Sequence, residues 1–250
     1  MSSGHFAWRE LITTDLGAAR GFYESLFGWS HTEQDMGEGF LYTLFHHGEQ
    51  DKMTAGAMPS PMPGIPSHWL DYTTVDDIDA ALAKVVALGG KKITEVMHIP
   101  GTGRMATVED PVGASFALLQ PEGGDDADEG RPPAGTFCWS QLMTTEPDKA
   151  VPFYAGLFGW KPAPMGPGAT VFMDGEAMRA SVMTSDQPHS HWLKYVAVDD
   201  ADTAFAKATE LGAQVYAPPT TMPGMGRFAV LADPTGATFA LWKDLSQDSA

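Results

Sequence analysis

A chain of 250 residues, 43% of them hydrophobic, is long enough for two packed domains, and 32 acidic against 15 basic residues give it a formal charge of −17. That field repels phosphate backbones and anionic lipid heads, so neither nucleic acid nor a membrane is expected as a partner, and no apolar run approaches the roughly 18 residues of a bilayer span. The single cysteine, Cys138, excludes an internal disulfide framework, and the opening MSSGHFAWRE lacks a signal-peptide pattern, so a cytoplasmic location is expected.

Phe6 to Thr13 has strand character, and Asp15 can cap a helix whose apolar residues Ala19, Phe22, Tyr23, Leu26 and Phe27 recur at three and four, ending at Gly28. Strands follow at FLYTLFHH (40 to 47) and MTAGAM (53 to 58), with GEQD as the hairpin between them. HWLDYTTV from His68 restarts the pattern; Asp76 or Asp77 caps a second helix closing at Gly89 and Gly90, and KKITEVMHI, RMATVED and SFALLQ read as three more strands. The segment 121–135, PEGGDDADEGRPPAG, has the composition of a solvated linker.

After the linker the same order returns. Phe6 to Trp29 is matched by Phe137 to Trp160 with about half the residues identical, Glu146 taking the capping place, Pro147 the first helical turn and Gly159 the end. HWLKYVAVDDADTAFAKATELGA from His191 matches the segment from His68; PGTGR (100 to 104) matches PGMGR (223 to 227), and DPVGASFAL (110 to 118) matches DPTGATFAL (233 to 241). The chain is a duplication with domains 1–120 and 136–250, each holding two βαβββ modules.

The helix signature around the F-Y pair and the closing F-G-W, the V-D-D-x-D-x-A second helix and the D-P-x-G turn occur in both halves. In these motifs the chain resembles the vicinal oxygen chelate superfamily, which includes glyoxalases, extradiol dioxygenases and bleomycin-binding proteins, and it is most similar to the two-domain actinobacterial glyoxalase-like type. The resemblance implies an α+β fold of four βαβββ modules, paired into two tandem eight-stranded incomplete barrels, each around a small-molecule cavity. It also implies that metal-dependent members carry His or Glu near the start of each module's first strand and Glu near the end of the last. At those places this chain has Trp8, Leu70 and Ala117 in the first half and Trp139, Leu193 and Ala240 in the second, none of which binds a divalent ion. No metal or other cofactor is expected, although a register shifted by two would bring Glu10 or His68 into play.

The remaining candidates are side chains that would line the barrels. Glu10 shares a strand face with Trp8, and its copy is the neutral Gln141, so the two cavities would differ in charge. Glu10 reads as a cation binder or base, or as an ordinary strand-end carboxylate. His68 and His191 share a face with Leu70 and Tyr72, or Leu193 and Tyr195, and read as structural groups or as catalysts. Arg104 and Arg227 follow Gly-rich turns and read as holders of a ligand's oxygen or as partners of a nearby aspartate. His46 and His47 point to opposite faces; His5, His31, His98 and His189 are expected to be exposed, and Cys138 buried and inert.

The expected ligand-binding set is therefore Trp8, Glu10, Leu70, Tyr72, Arg104, Trp139, Gln141, Leu193, Tyr195 and Arg227, with Glu10, His68 and Arg104 as the candidates for catalysis. The expected function is metal-independent binding of a small aromatic or cationic molecule by a monomer or homodimer. The alternative is a glyoxalase-, dioxygenase- or hydroxylase-like enzyme with relocated metal ligands or metal-free acid–base chemistry.

Overall fold

The computed structural model describes residues 4–37, 39–48, 52–123 and 132–246. A strand–helix–strands module occurs four times. The first runs β1 (Phe6–Thr13), α1 (Leu16–Phe27), β2 (Ser30–Asp35), β3 (Leu41–His47) and β4 (Lys52–Pro59). The second runs β5 (His68–Thr74), α2 (Ile78–Ala87), β6 (Lys91–Lys92), β7 (Met97–Ile99), β8 (Gly103–Glu109) and β9 (Ser115–Pro121). The third comprises β10 (Phe137–Thr144), α3 (Pro147–Phe158), β11 (Lys161–Gly166), β12 (Ala169–Asp174) and β13 (Ala177–Thr184). The fourth comprises β14 (His191–Ala197), α4 (Ala201–Glu210), β15 (Gln214–Met222), β16 (Gly226–Ala232) and β17 (Thr238–Asp244). Residues 49–51 of the GEQD hairpin and 124–131 of the acidic connection lie outside the described residues.

Local chemistry sets the helix ends. Asp15 accepts from the Ala18 N–H at 2.9 Å, and Asp77 accepts from those of Asp79 and Ala80 at 2.9 and 3.0 Å, satisfying donors that a helix start leaves open. Glu146 stands at the start of α3 without a side-chain cap; the Thr144 hydroxyl instead accepts from the Glu146 N–H at 3.1 Å. Gly28 and Gly159 end α1 and α3 with φ of 72° and 77°, a backbone region in which a side chain would be strained.

The strands form one sheet in the order β2-β3-β4-β1-β5-β9-β8-β6, with β7 also on β8, and another in the order β11-β12-β13-β10-β14-β17-β16-β15. In every module the first strand pairs parallel with the last. This is the tandem α+β arrangement of four modules expected from the sequence, with one difference. The first sheet has nine strands, because the single strand expected at KKITEVMHI is broken: the Ile93 and Thr94 N–H groups both turn to the Thr107 carbonyl, and the Thr94 hydroxyl accepts from the Thr107 N–H. Two further strands escape a reading by alternation. β2 is exposed at every residue, and β11 carries two prolines, tolerated because it is an edge strand.

Hydrophobic packing groups the elements differently from the sheets. One compact unit combines the second and third modules with the start of β1. Its core joins Ile78 and Val85 of α2 and Phe116 of β9 to Phe153, Tyr154 and Leu157 of α3 and Phe172 of β12. The other unit combines the first and fourth modules, packing Phe22, Tyr23 and Leu26 of α1 and Phe45 of β3 with Leu231, Phe239 and Leu241.

Each unit contains one buried polar cluster made from the repeated motifs. In the second-and-third unit the Tyr154 hydroxyl donates to Asp110 Oδ2 at 2.8 Å, the Trp192 indole donates to Tyr154 at 2.9 Å, and Asp110 Oδ1 accepts from the N–H groups of Val112 and Ala114. In the first-and-fourth unit Tyr23 donates to Asp233 at 3.0 Å, Trp69 donates to Tyr23 at 2.8 Å, and Asp233 Oδ1 accepts from Thr235 and Ala237. The F-Y, H-W and D-P-x-G motifs thus meet in a fully satisfied buried network, which fixes one packing geometry. Burial pushes both phenols well above the usual tyrosine range and raises the Asp110 carboxyl, whose shift the backbone and Tyr154 hydrogen bonds oppose.

Candidate functional site

In the first-and-fourth unit Leu11, Phe45, Ala55 and Ala57 enter the core. Strand alternation therefore turns Glu10, Leu44 and Gly56 to the opposite face, where Glu10 and Leu44 both lie in register with Gly56. Tyr42 also lies on that face, and its hydroxyl donates to Glu10 Oε1 at 2.7 Å. Glu10 is 6% exposed and Tyr42 is half-buried. Gly56 makes the contact possible: a Cβ built there would stand 1.8 Å from the Tyr42 hydroxyl oxygen. The sequence pattern marks Glu10 but not Tyr42 or Gly56, because their meeting depends on the register of three strands.

The equivalent place in the second-and-third unit carries a different solution. Gln141 and Val171 are in register with Ser181, and Gln141 Nε2 donates to the Ser181 hydroxyl at 3.1 Å. Ala169 takes the position of Tyr42. A carboxylate–phenol pair on one sheet is replaced by an amide–hydroxyl pair on the other.

Each unit also carries apolar side chains on strand faces turned away from its helices. Leu70 and Tyr72 of β5 point away from the α2 side, with Tyr72 in register with Ala117; Leu70 is 2% exposed and Ala117 is 1% exposed. In the first-and-fourth unit Tyr195 is in register with Ala240, and its ring meets that of Trp242 edge-on with centroids 6.2 Å apart. Leu193 is buried, and Trp8 and Trp139 are each partly exposed.

Several candidates have other roles. Arg104, in phase along β8 with the core residues Ala106 and Val108, forks onto Asp79 at the start of α2 at 2.8 and 3.2 Å. Arg227 does the same to Asp202 of α4, with both contacts at 2.7 Å, and also donates to Thr221. Both arginines tie a strand to a helix start instead of facing a ligand with Glu10 or Gln141, because alternation turns them to the helix side.

His68 Nδ1 lies 2.8 Å from the Pro66 carbonyl and His191 Nδ1 lies 3.1 Å from that of His189, the same local turn in both copies. Burial lowers the His68 pKa, favouring its neutral form. His5 is buried, contrary to the expected exposure, and lies 3.1 Å from the Thr74 hydroxyl; His31, His98 and His189 are exposed. Cys138 is partly buried, not fully buried as expected, and this burial pushes its thiol up to about 12, which disfavours the thiolate.

Residues 2–118 match the Glyoxalase/Bleomycin resistance protein/Dioxygenase superfamily, and residues 139–242 match a glyoxalase-like domain. A Mycobacterium tuberculosis protein named "Putative glyoxylase CFP32" is 38% identical over 96% of this chain and 95% of its own. The chain belongs to the glyoxalase/bleomycin resistance protein/dioxygenase superfamily. The "Anthracycline biosynthesis protein DnrV" of Streptomyces peucetius, 33% identical over 94% of this chain and 91% of its own, is a further relative. Among solved structures, the Mn(II)-bound glyoxalase from Novosphingobium aromaticivorans shares the fold with a TM-score of 0.68 and 18% identity, covering 98% of this chain and 83% of that one. The 2,3-dioxygenase LapB from Pseudomonas sp. KL28 does so with a TM-score of 0.65 and 12% identity, over 97% and 93%.

A divalent metal of the kind this superfamily uses needs imidazole and carboxylate donors converging on one point. The strand positions at which the sequence resemblance implies such donors hold indole, isobutyl and methyl groups, and among the described residues no group of three or more His, Cys, Asp or Glu could hold a metal ion. The donor chemistry of these residues does not fit such an ion.

Proposed function

We propose that this superfamily member is a small-molecule receptor that binds a planar aromatic compound without a divalent metal, on sheet faces whose polar contacts come from Glu10–Tyr42 and Gln141–Ser181. This reading is supported by Trp8, Leu70 and Ala117 and by Trp139, Leu193 and Ala240, residues without chelating groups at the strand positions where the superfamily resemblance implies metal donors. Apolar walls with few polar groups suit aromatic ligands. Relatives named for anthracycline biosynthesis support a polycyclic aromatic as the ligand class. Each half of the chain, 1–120 and 136–250, would act as one binding domain, and a lone cysteine fits a cytoplasmic setting.

Titration of the purified protein with neutral and cationic polycyclic aromatics, followed by tryptophan fluorescence, is expected to show saturable quenching. Silence across the panel, or a stoichiometric bound transition metal in protein purified without chelators, overturns the reading.

A second reading rests on the Tyr42–Glu10 hydrogen bond of 2.7 Å: a buried carboxyl group held by a phenol would act as an acid–base pair. Chromatography of the ligand recovered after incubation separates the two. An unchanged compound supports the receptor; a converted compound, with conversion abolished in Glu10→Gln, supports the enzyme.

A further inference from the structure

We propose that the surface by which each half of the chain grips the other also accepts the counterpart half of a second copy, so that two chains exchange halves and close into a dimer. The repeated halves hold each other reciprocally. Tyr23 of the first half donates to Asp233 of the second at 3.0 Å, and Tyr154 of the second donates to Asp110 of the first at 2.8 Å. Aromatic contacts repeat the exchange. Phe6 meets Trp160 and Trp192 with ring centroids 6.2 and 5.7 Å apart, and Phe137 meets Trp29 and Trp69 at 6.0 and 5.0 Å. Each half thus gives a tyrosine, an aspartate and a phenylalanine to its counterpart. The helices at these contacts bury the same residues, Ala19, Phe22, Tyr23 and Leu26 on α1 and Ala150, Phe153, Tyr154 and Leu157 on α3.

Among the described residues of 121–135, none belongs to either core. The covalent connection therefore sets which counterpart is near, while the packed surfaces set which one fits. Every contact named above is available between two chains. Exchange satisfies both halves of both chains, which gives a closed two-fold dimer instead of an open row of copies. A short tether holds a counterpart at an effective concentration of about 1 mM or more, so closure within one chain wins in dilute solution. Exchange competes when chains fold together at concentrations approaching that value. Leaving the exchanged state means opening both cores, so the dimer persists once the protein is diluted.

The test refolds the full chain from urea at about 10 µM and at about 500 µM, dilutes both to one concentration and measures size by sedimentation velocity. The folded dimer fraction is expected to be at least about tenfold larger after refolding at the higher concentration, and to last for hours after dilution. Monomer alone from both, or a dimer that dissociates at once on dilution, overturns the proposal. Disulfide trapping then identifies the surface. The Thr13 and Thr235 hydroxyls lie 3.1 Å apart within the first-and-fourth unit, close enough for cysteines at these positions to bridge. Thr13→Cys and Thr235→Cys chains, each also carrying Cys138→Ser, are refolded together at the higher concentration and oxidised. Disulfide dimers of unlike chains are the expected product. Dimers in which like chains bridge as readily as unlike ones, or in which none bridge although a chain carrying both cysteines closes on itself, use another surface and overturn the exchange.

Discussion

The Tyr23 hydroxyl donates to Asp233 Oδ2 at 3.0 Å across 210 residues of sequence, joining the first helix to the last D-P turn. The Trp69 indole completes the contact from the other side of the phenol. Tyr23→Phe removes a donor to a buried carboxylate and an acceptor for a buried indole, a loss expected to cost about 2–3 kcal/mol. Urea denaturation of Tyr23→Phe and Tyr154→Phe measures it. Changes below about 0.5 kcal/mol in both would show that the motif clusters do not hold the modules together.

Asp110 supplies a pH signature of known sign. Burial raises its folded pKa above the ordinary value of about 3.9. A group raised on folding contributes stability that is fully present below its unfolded pKa and is lost as pH rises through the folded one. The destabilisation caused by Asp110→Asn, a permanently neutral analogue, is therefore expected to be largest near pH 4 and to shrink toward pH 7. Paired denaturation curves at the two pH values check this, and a penalty growing with pH would contradict it.

Gly56→Ser copies the second sheet's residue into the first and is expected to drive the Tyr42 hydroxyl off Glu10, since the new Cβ would sit 1.8 Å from it. Overpacking of this kind costs about 1–3 kcal/mol. Adding Tyr42→Ala, which reproduces the Ser181 and Ala169 pair, is expected to recover part of that loss. A double-mutant cycle on thermal or urea stability reads the coupling, and strict additivity would show that the two positions do not compete for space.

Cys138, with its thiol pushed up to about 12, holds very little thiolate at pH 8. Its alkylation by iodoacetamide is expected to be roughly 10³-fold slower in the native protein than in denaturant, where the ordinary cysteine pKa of about 8.5 returns. Mass spectrometry against time provides the measurement, and comparable rates in the two states would place the thiol in an accessible, activating setting.

Much of this molecule is legible locally. Asp15, Asp77, Gly28 and Gly159 act through backbone groups within a few residues of themselves, so the sequence states their roles. The duplicated motifs likewise state the module and its repetition. Strands without alternation are not legible in this way: β2 has no apolar face, and β11 is a proline-bearing edge.

What the sequence by itself determined is the repeated α+β module and the residues that begin and end its helices. Only the tertiary structure decided which modules share a core, that Arg104 turns to Asp79, and that Tyr42 occupies the space left by Gly56 to reach Glu10. The physical reason is range. Caps and turns are closed by neighbours along the chain, whereas the choice of a distant partner depends on strand register and on shape complementarity across the core, which no short period in the sequence expresses.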